Sequence, residues 1–110
     1  MNEPTEILGV YLTFPDDETA DRIARELVDS RLVACVNVLG TGRSVYRWQD
    51  ETVTGPEVFA WAKTTRSRYA ELEAKLSELH PFEVPCIVAY PVRAGLPAYL
   101  DWVVEETATG

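Results

Sequence analysis

Residues 80 to 87 read "HPFEVPCI" and gather the only histidine, a glutamate, one of two cysteines and two prolines into eight positions. Imidazole, carboxylate and thiolate are all metal ligands, and nitrogen together with sulfur favours copper or zinc over magnesium. His80, Glu83 and Cys86 are therefore candidate metal ligands. Their spacing is a weak signal, because Pro81 and Pro85 keep the segment extended and residues three apart in an extended chain point to opposite sides. The three need not converge within one chain. The competing reading of His80 is local: a ring at a helix C-terminus, where a donor or a cation is favoured.

Two further groups carry chemistry. Cys35 lies in the apolar run "LVACVNVL", where a cysteine ordinarily behaves as a small hydrophobe. Lys63 ends another apolar run beside Trp61, just before Thr64 and Thr65, which can cap a helix. Backbone N–H groups at such a helix start cradle anions, and Lys63 and Arg66 add positive charge there. A lysine in that place also serves simply by reaching to solvent along its apolar stem. There is no G-x-S-x-G, H-E-x-x-H, phosphate loop or G-x-G-x-x-G, and no nucleophile with a base beside it in sequence. The expectation is a protein that is not an enzyme.

The elements that must hold these groups are legible. "ILGVYLTF", residues 7 to 14, is a buried strand. Asp16 or Asp17 caps a helix whose Ala20, Ile23, Ala24, Leu27 and Val28 recur at helical spacing. Residues 32 to 39 make a second strand, Gly40 and Gly42 allow a bend or bulge, and "RSVYRW" resumes with Ser44, Tyr46 and Trp48 on one face. "QDETVTGPE" reads as a loop or hairpin tip. A third strand spans 57 to 64. A helix with Tyr69, Leu72, Leu76 and Leu79 follows and stops at Pro81. A fourth strand spans 84 to 92, at an edge because of its prolines. Pro97 starts a last helix.

The order β-α-β-β-α-β-α predicts an α+β fold: a ferredoxin-like βαββαβ sandwich plus a C-terminal helix, with strands 1 and 3 central. Helices then cover one sheet face, yet the strands are apolar on both, which predicts a homo-oligomer. Cys35 and Cys86 fall on opposite edge strands, too far apart for one site within a chain.

At 110 residues the chain predicts a single domain, 1–110. The net charge of −8 argues against nucleic acid, whose phosphates need a basic face. The many acids read as a solvated surface. No apolar run spans a membrane, and Met1-Asn2-Glu3-Pro4 lacks the start of a secretion signal, so a cytoplasmic location with reduced thiols is expected.

In order along the chain, "LVDSRLVACVNV", "SVYRWQ", "KTTRSRY", "HPFEVP" and "PAYLDWV" resemble the signature segments of the CutA divalent-cation tolerance proteins, from about residue 7 to 105. The resemblance implies a tight PII-like homotrimer and a role in tolerance of copper and other divalent cations. It adds Cys35, whose counterpart in "ACVN" is a suggested copper ligand, to His80, Glu83 and Cys86 as metal candidates. It also places Trp48, Lys63, Arg66, His80 and Glu83 at signature positions, the alternative being a regulatory trimer that binds a small anionic ligand between subunits. The family commonly reads H-P-Y-E-V-P-E; here Phe82 replaces the tyrosine and Cys86 the last glutamate. The acidic site at that last position therefore does not carry over.

Overall fold

A computed structural model describes residues 5–109; the Met1–Pro4 start and the last residue of the expected 1–110 domain lie outside them. The elements are β1 (Ile7–Phe14), α1 (Asp17–Asp29), β2 (Cys35–Trp48), β3 (Glu51–Thr65), α2 (Arg66–Leu79), β4 (Ile87–Pro91) and α3 (Pro97–Glu106). The strands form one antiparallel sheet in the order β2-β3-β1-β4, so β1 and β3 are central as the split β-α-β order requires.

Side-chain alternation divides the sheet between two environments. Leu8, Val10, Leu12 and Phe14 of β1 point to the same side as Val58, Ala60 and Ala62 of β3, and all are buried beneath Ala20, Ile23 and Leu27 of α1 and Leu72 and Leu76 of α2. Asp16 starts α1 by accepting a hydrogen bond from the Thr19 N–H at 2.7 Å, and that bond holds its carboxyl below its ordinary value. The opposite face carries Ile7, Gly9, Tyr11 and Thr13. α3 covers only its Ile7 end, where Val103 packs with Ile7 and Ala34. Further along, Tyr11, Trp61 and Tyr90 form a chain of ring contacts at 5.4 and 5.7 Å.

Three expectations need correction. β2 begins at Cys35 rather than residue 32, because Arg31 takes a left-handed conformation (φ 61°) that turns the chain after α1. β4 is shorter than 84 to 92, the residues before Ile87 forming a turn instead. The third strand starts at Glu51, not 57: the polar "QDETVTGPE" is mostly strand, and the tip is only Gln49-Asp50, both at positive φ as a two-residue hairpin turn demands. Pro56 is tolerated because β1 pairs with β3 only from Val58 onward, leaving one edge free at Pro56. The unsupported β2–β3 arm stretches the molecule to 52 × 25 × 22 Å, with a radius of gyration of 14.8 Å. A compact chain of this length gives about 13 Å.

Cutting Phe14 to alanine should cost about 3–5 kcal/mol in urea unfolding, because its ring is fully enclosed. Val45→Ala, on the exposed arm, should change stability by no more than about 0.5 kcal/mol.

Candidate functional site

β2 carries a one-residue bulge between Val38 and Gly40, where Val38 pairs with Ala60 and Gly40 with the adjacent Phe59. Gly40 has φ 125°, a conformation that favours glycine. The extra residue, Leu39, shifts the alternation. Before it, Cys35 and Asn37 share the open face with Lys63 and Trp61; after it, Gly40, Gly42, Ser44, Tyr46 and Trp48 do. Gly42 lies under the Phe59 ring, where a Cβ would collide with it.

A cavity of about 600 Å³ results on the open face. Tyr11 and Glu57 form its floor, Tyr46 and Trp48 of the arm one wall, and the turn from Pro81 to Cys86 the other. His80 fastens that turn. It closes α2 by donating its N–H to the Leu76 carbonyl at 2.8 Å, and its ring is buried against Phe14, with centroids 5.4 Å apart. Ring Nε2 contacts the Thr13 carbonyl at 2.7 Å, and ring Nδ1 accepts the Phe82 N–H at 3.1 Å. These partners assign the neutral tautomer with its proton on Nε2. The Phe82 ring is tilted against His80 at 4.8 Å.

The expected site residues therefore separate. Trp48, Glu83 and Cys86 share the cavity. His80 lies behind it with both ring nitrogens engaged, which leaves no lone pair for a metal. Cys35 lies at the far end of β2, separated from β4 by two strands, about 14 Å at ordinary strand spacing. Its Sγ is 3.5 Å from the Tyr99 hydroxyl and 3.9 Å from Asn37 Oδ1, which also accepts from Lys63 Nζ at 2.6 Å. The Tyr99 phenol is pushed up to about 12, first by its bond to Cys35 and then by burial. Arg66 forms an ion pair with Glu6. The set Cys35, His80, Glu83 and Cys86 is thus not one metal centre within the chain, and among the described residues no three histidine, cysteine or acidic side chains gather to hold an ion. Nor, within one chain, do Trp48, Lys63, Arg66, His80 and Glu83 surround one anion.

Sequence reasoning missed Tyr11 and Glu57. Both stand on the uncovered face of central strands, and only the sheet register shows that they lie below the arm. Burial, and then the Glu57 carboxylate, push the Cys86 thiol up. Among the described residues, no lysine or arginine lines the cavity.

The antiparallel four-strand sheet with three helices matches solved divalent-cation tolerance proteins. The protein of Thermus thermophilus superposes with a TM-score of 0.90 at 42% identity, covering 93% of this chain and 99% of that one. The protein described as the periplasmic divalent cation tolerance protein CutA of Archaeoglobus fulgidus gives 0.89 at 32% identity, covering 93% and 99%. In sequence, the divalent-cation tolerance protein CutA of Pyrococcus horikoshii is 40% identical over 98 residues, 89% of this chain and 95% of its own length. Residues 8–106 match the family model for the CutA1 divalent ion tolerance protein, and the chain belongs to that family. No helix among the described residues is long and apolar enough to cross a membrane.

Two outcomes are expected. His80→Ala orphans the Thr13 carbonyl and the Phe82 N–H at once and should cost on the order of 3 kcal/mol in denaturant unfolding. A raised thiol holds less thiolate at a given pH, so Cys86 should react with iodoacetamide near neutral pH several-fold more slowly in the folded protein than in urea. Peptide mass spectrometry reads the difference.

Proposed function

We propose that this chain serves divalent-cation tolerance as a homotrimer that is not an enzyme and binds the cation itself, copper best. The lining of the cavity carries this reading: the Cys86 sulfur and the Glu57 and Glu83 carboxylates, with no basic side chain among them. That set attracts a cation and repels an anion. A thiolate favours copper over the hard divalent ions. Because no three donors gather among the described residues of one chain, the coordination sphere would be completed by water or by a neighbouring subunit. Cys35 is a poorer donor site, since the Lys63 ammonium lies against Asn37 beside it.

Assembly is supported by the large apolar side chains left in solvent, among them Tyr90, Val88 and Trp102. The PII-like trimer is the arrangement we propose for burying them. The absence of an enzymatic role is supported by the solitary histidine, which is spent on structure. Two free cysteines, far apart in the fold, suit a reducing compartment, and we place the protein in the cytoplasm.

Equilibrium dialysis under argon tests the assignment. Native protein and Cys35→Ser should retain about one copper per chain, and Cys86→Ser should lose it, with binding strengthening as pH rises and the thiol gives up its proton. Full retention by Cys86→Ser would remove the site. A light-scattering mass of one chain at micromolar concentration would remove the trimer.

A further inference from the structure

We propose that His80 is a proton-operated latch: when its ring takes a second proton, the turn spanning residues 81 to 86 is released from the body of the fold. The latch is independent of the cation reading, because it needs neither a metal nor a neighbouring subunit.

The turn is held at one point. Pro81 and Pro85 have no backbone N–H to donate. Among the described residues, positions 81 to 86 make a single hydrogen bond, from the Phe82 N–H to ring Nδ1 of His80 at 3.1 Å. The ring itself is fixed from behind. It is 6% exposed, lies nearly parallel to the Phe14 ring at 14°, and donates from Nε2 to the Thr13 carbonyl at 2.7 Å. This arrangement suits the neutral imidazole alone. A second proton must go on Nδ1, since Nε2 already carries one. It then stands opposite the Phe82 N–H, donor against donor, and the one bond that holds the turn becomes a repulsion.

No charge beside the ring offsets this. β1 presents Thr13 and Phe14, α2 presents Leu76 and the turn presents Phe82, none of which titrates. The acids nearest in sequence to these contacts are engaged or turned elsewhere. Asp16 caps α1, Glu57 alternates to the other sheet face from Val58, the partner of Phe14, and Glu78 and Glu83 are exposed. Among the described residues, none forms an ion pair with the ring. A buried charge without a partner is costly, so the protonated ring is accommodated by opening the turn to water. The Nε2 bond to Thr13 survives the change, which confines the opening to the turn and leaves β1 and α2 in place. Glu83 and Cys86 ride on the released segment.

The composition makes the test direct. His80 is the only histidine, and Phe82 is one of three phenylalanines, the others being Phe14 in β1 and Phe59 in β3. In the full-length assembled protein, isotope labelling of these two residue types gives one ring and three amides to follow by NMR. The titration runs from about pH 8 to about pH 4.5, which brackets the ordinary range of histidine. At the upper end the ring nitrogens should show the Nε2–H tautomer. As the ring gains its second proton, the protection of the Phe82 amide from hydrogen exchange should fall roughly 2- to 10-fold in the same step, with Phe14 and Phe59 still protected. His80→Gln keeps a donor for the Thr13 carbonyl and has no proton to gain, so it should abolish the step. A ring that becomes charged with the Phe82 amide still protected overturns the latch. So does loss of protection at all three phenylalanines together, which is plain acid unfolding, or a ring that stays neutral throughout the folded range. A step that persists in His80→Gln assigns it to a carboxylate instead. If that variant does not fold, the native titration decides alone.

Discussion

One extra residue in β2 governs the rest of the molecule. Alternation along a strand has a period of two, so a one-residue slip turns every later side chain to the other face. Leu39 supplies that slip. Without it, Ser44, Tyr46 and Trp48 would leave the face they share with Phe59 and Tyr11, and the arm would offer the cavity no rings. Glycine makes the slip easy: Gly40 takes a backbone angle that other residues resist, and Gly42 leaves room for the ring of Phe59.

The second wall depends on a different economy. A lone histidine at the end of α2 joins a helix terminus, a central strand and the turn that follows, through one backbone and two ring hydrogen bonds. The turn contains two prolines, which donate no backbone hydrogen bond, and is otherwise held by little. His80 thus exchanges metal chemistry for architecture. The cavity inherits its shape from that exchange, since Phe82, Glu83 and Cys86 all follow the anchored residue within six positions.

Much of this was legible in the sequence, for physical reasons. Helical spacing marked α1 and α2, the prolines marked β4 as an edge strand, and the glycines after Leu39 marked a bend. His80 was readable as a helix end because Pro81 follows it. Of the arm, "RSVYRW" was readable as extended with Ser44, Tyr46 and Trp48 on one face, but "ETVTGPE" was not: it lacks apolar alternation, since before Val58 neither face of β3 is under a helix and the pairing alone keeps it extended. Nor could one see that Cys35 stands beside Lys63 across the strands while Cys86 lines the cavity with Glu57. The side on which a residue lies follows from pattern, but the residues it meets there follow from register. The family membership was legible because several short segments recur in order, a signal that does not depend on register at all.

The tight turn at Gln49-Asp50 has a consequence for the order of events during folding. It lets Trp48 meet Glu51 directly, so the arm can zip from its tip through neighbours that are close in sequence. β4, by contrast, reaches β1 only when Leu8 finds Pro91 across most of the chain, and closing so long a loop carries the larger entropic penalty. The hairpin is the part of the sheet that topology allows to form early and β4 the part it delays. A cavity walled by one and by the turn leading into the other comes into being only in a chain that has already closed end to end.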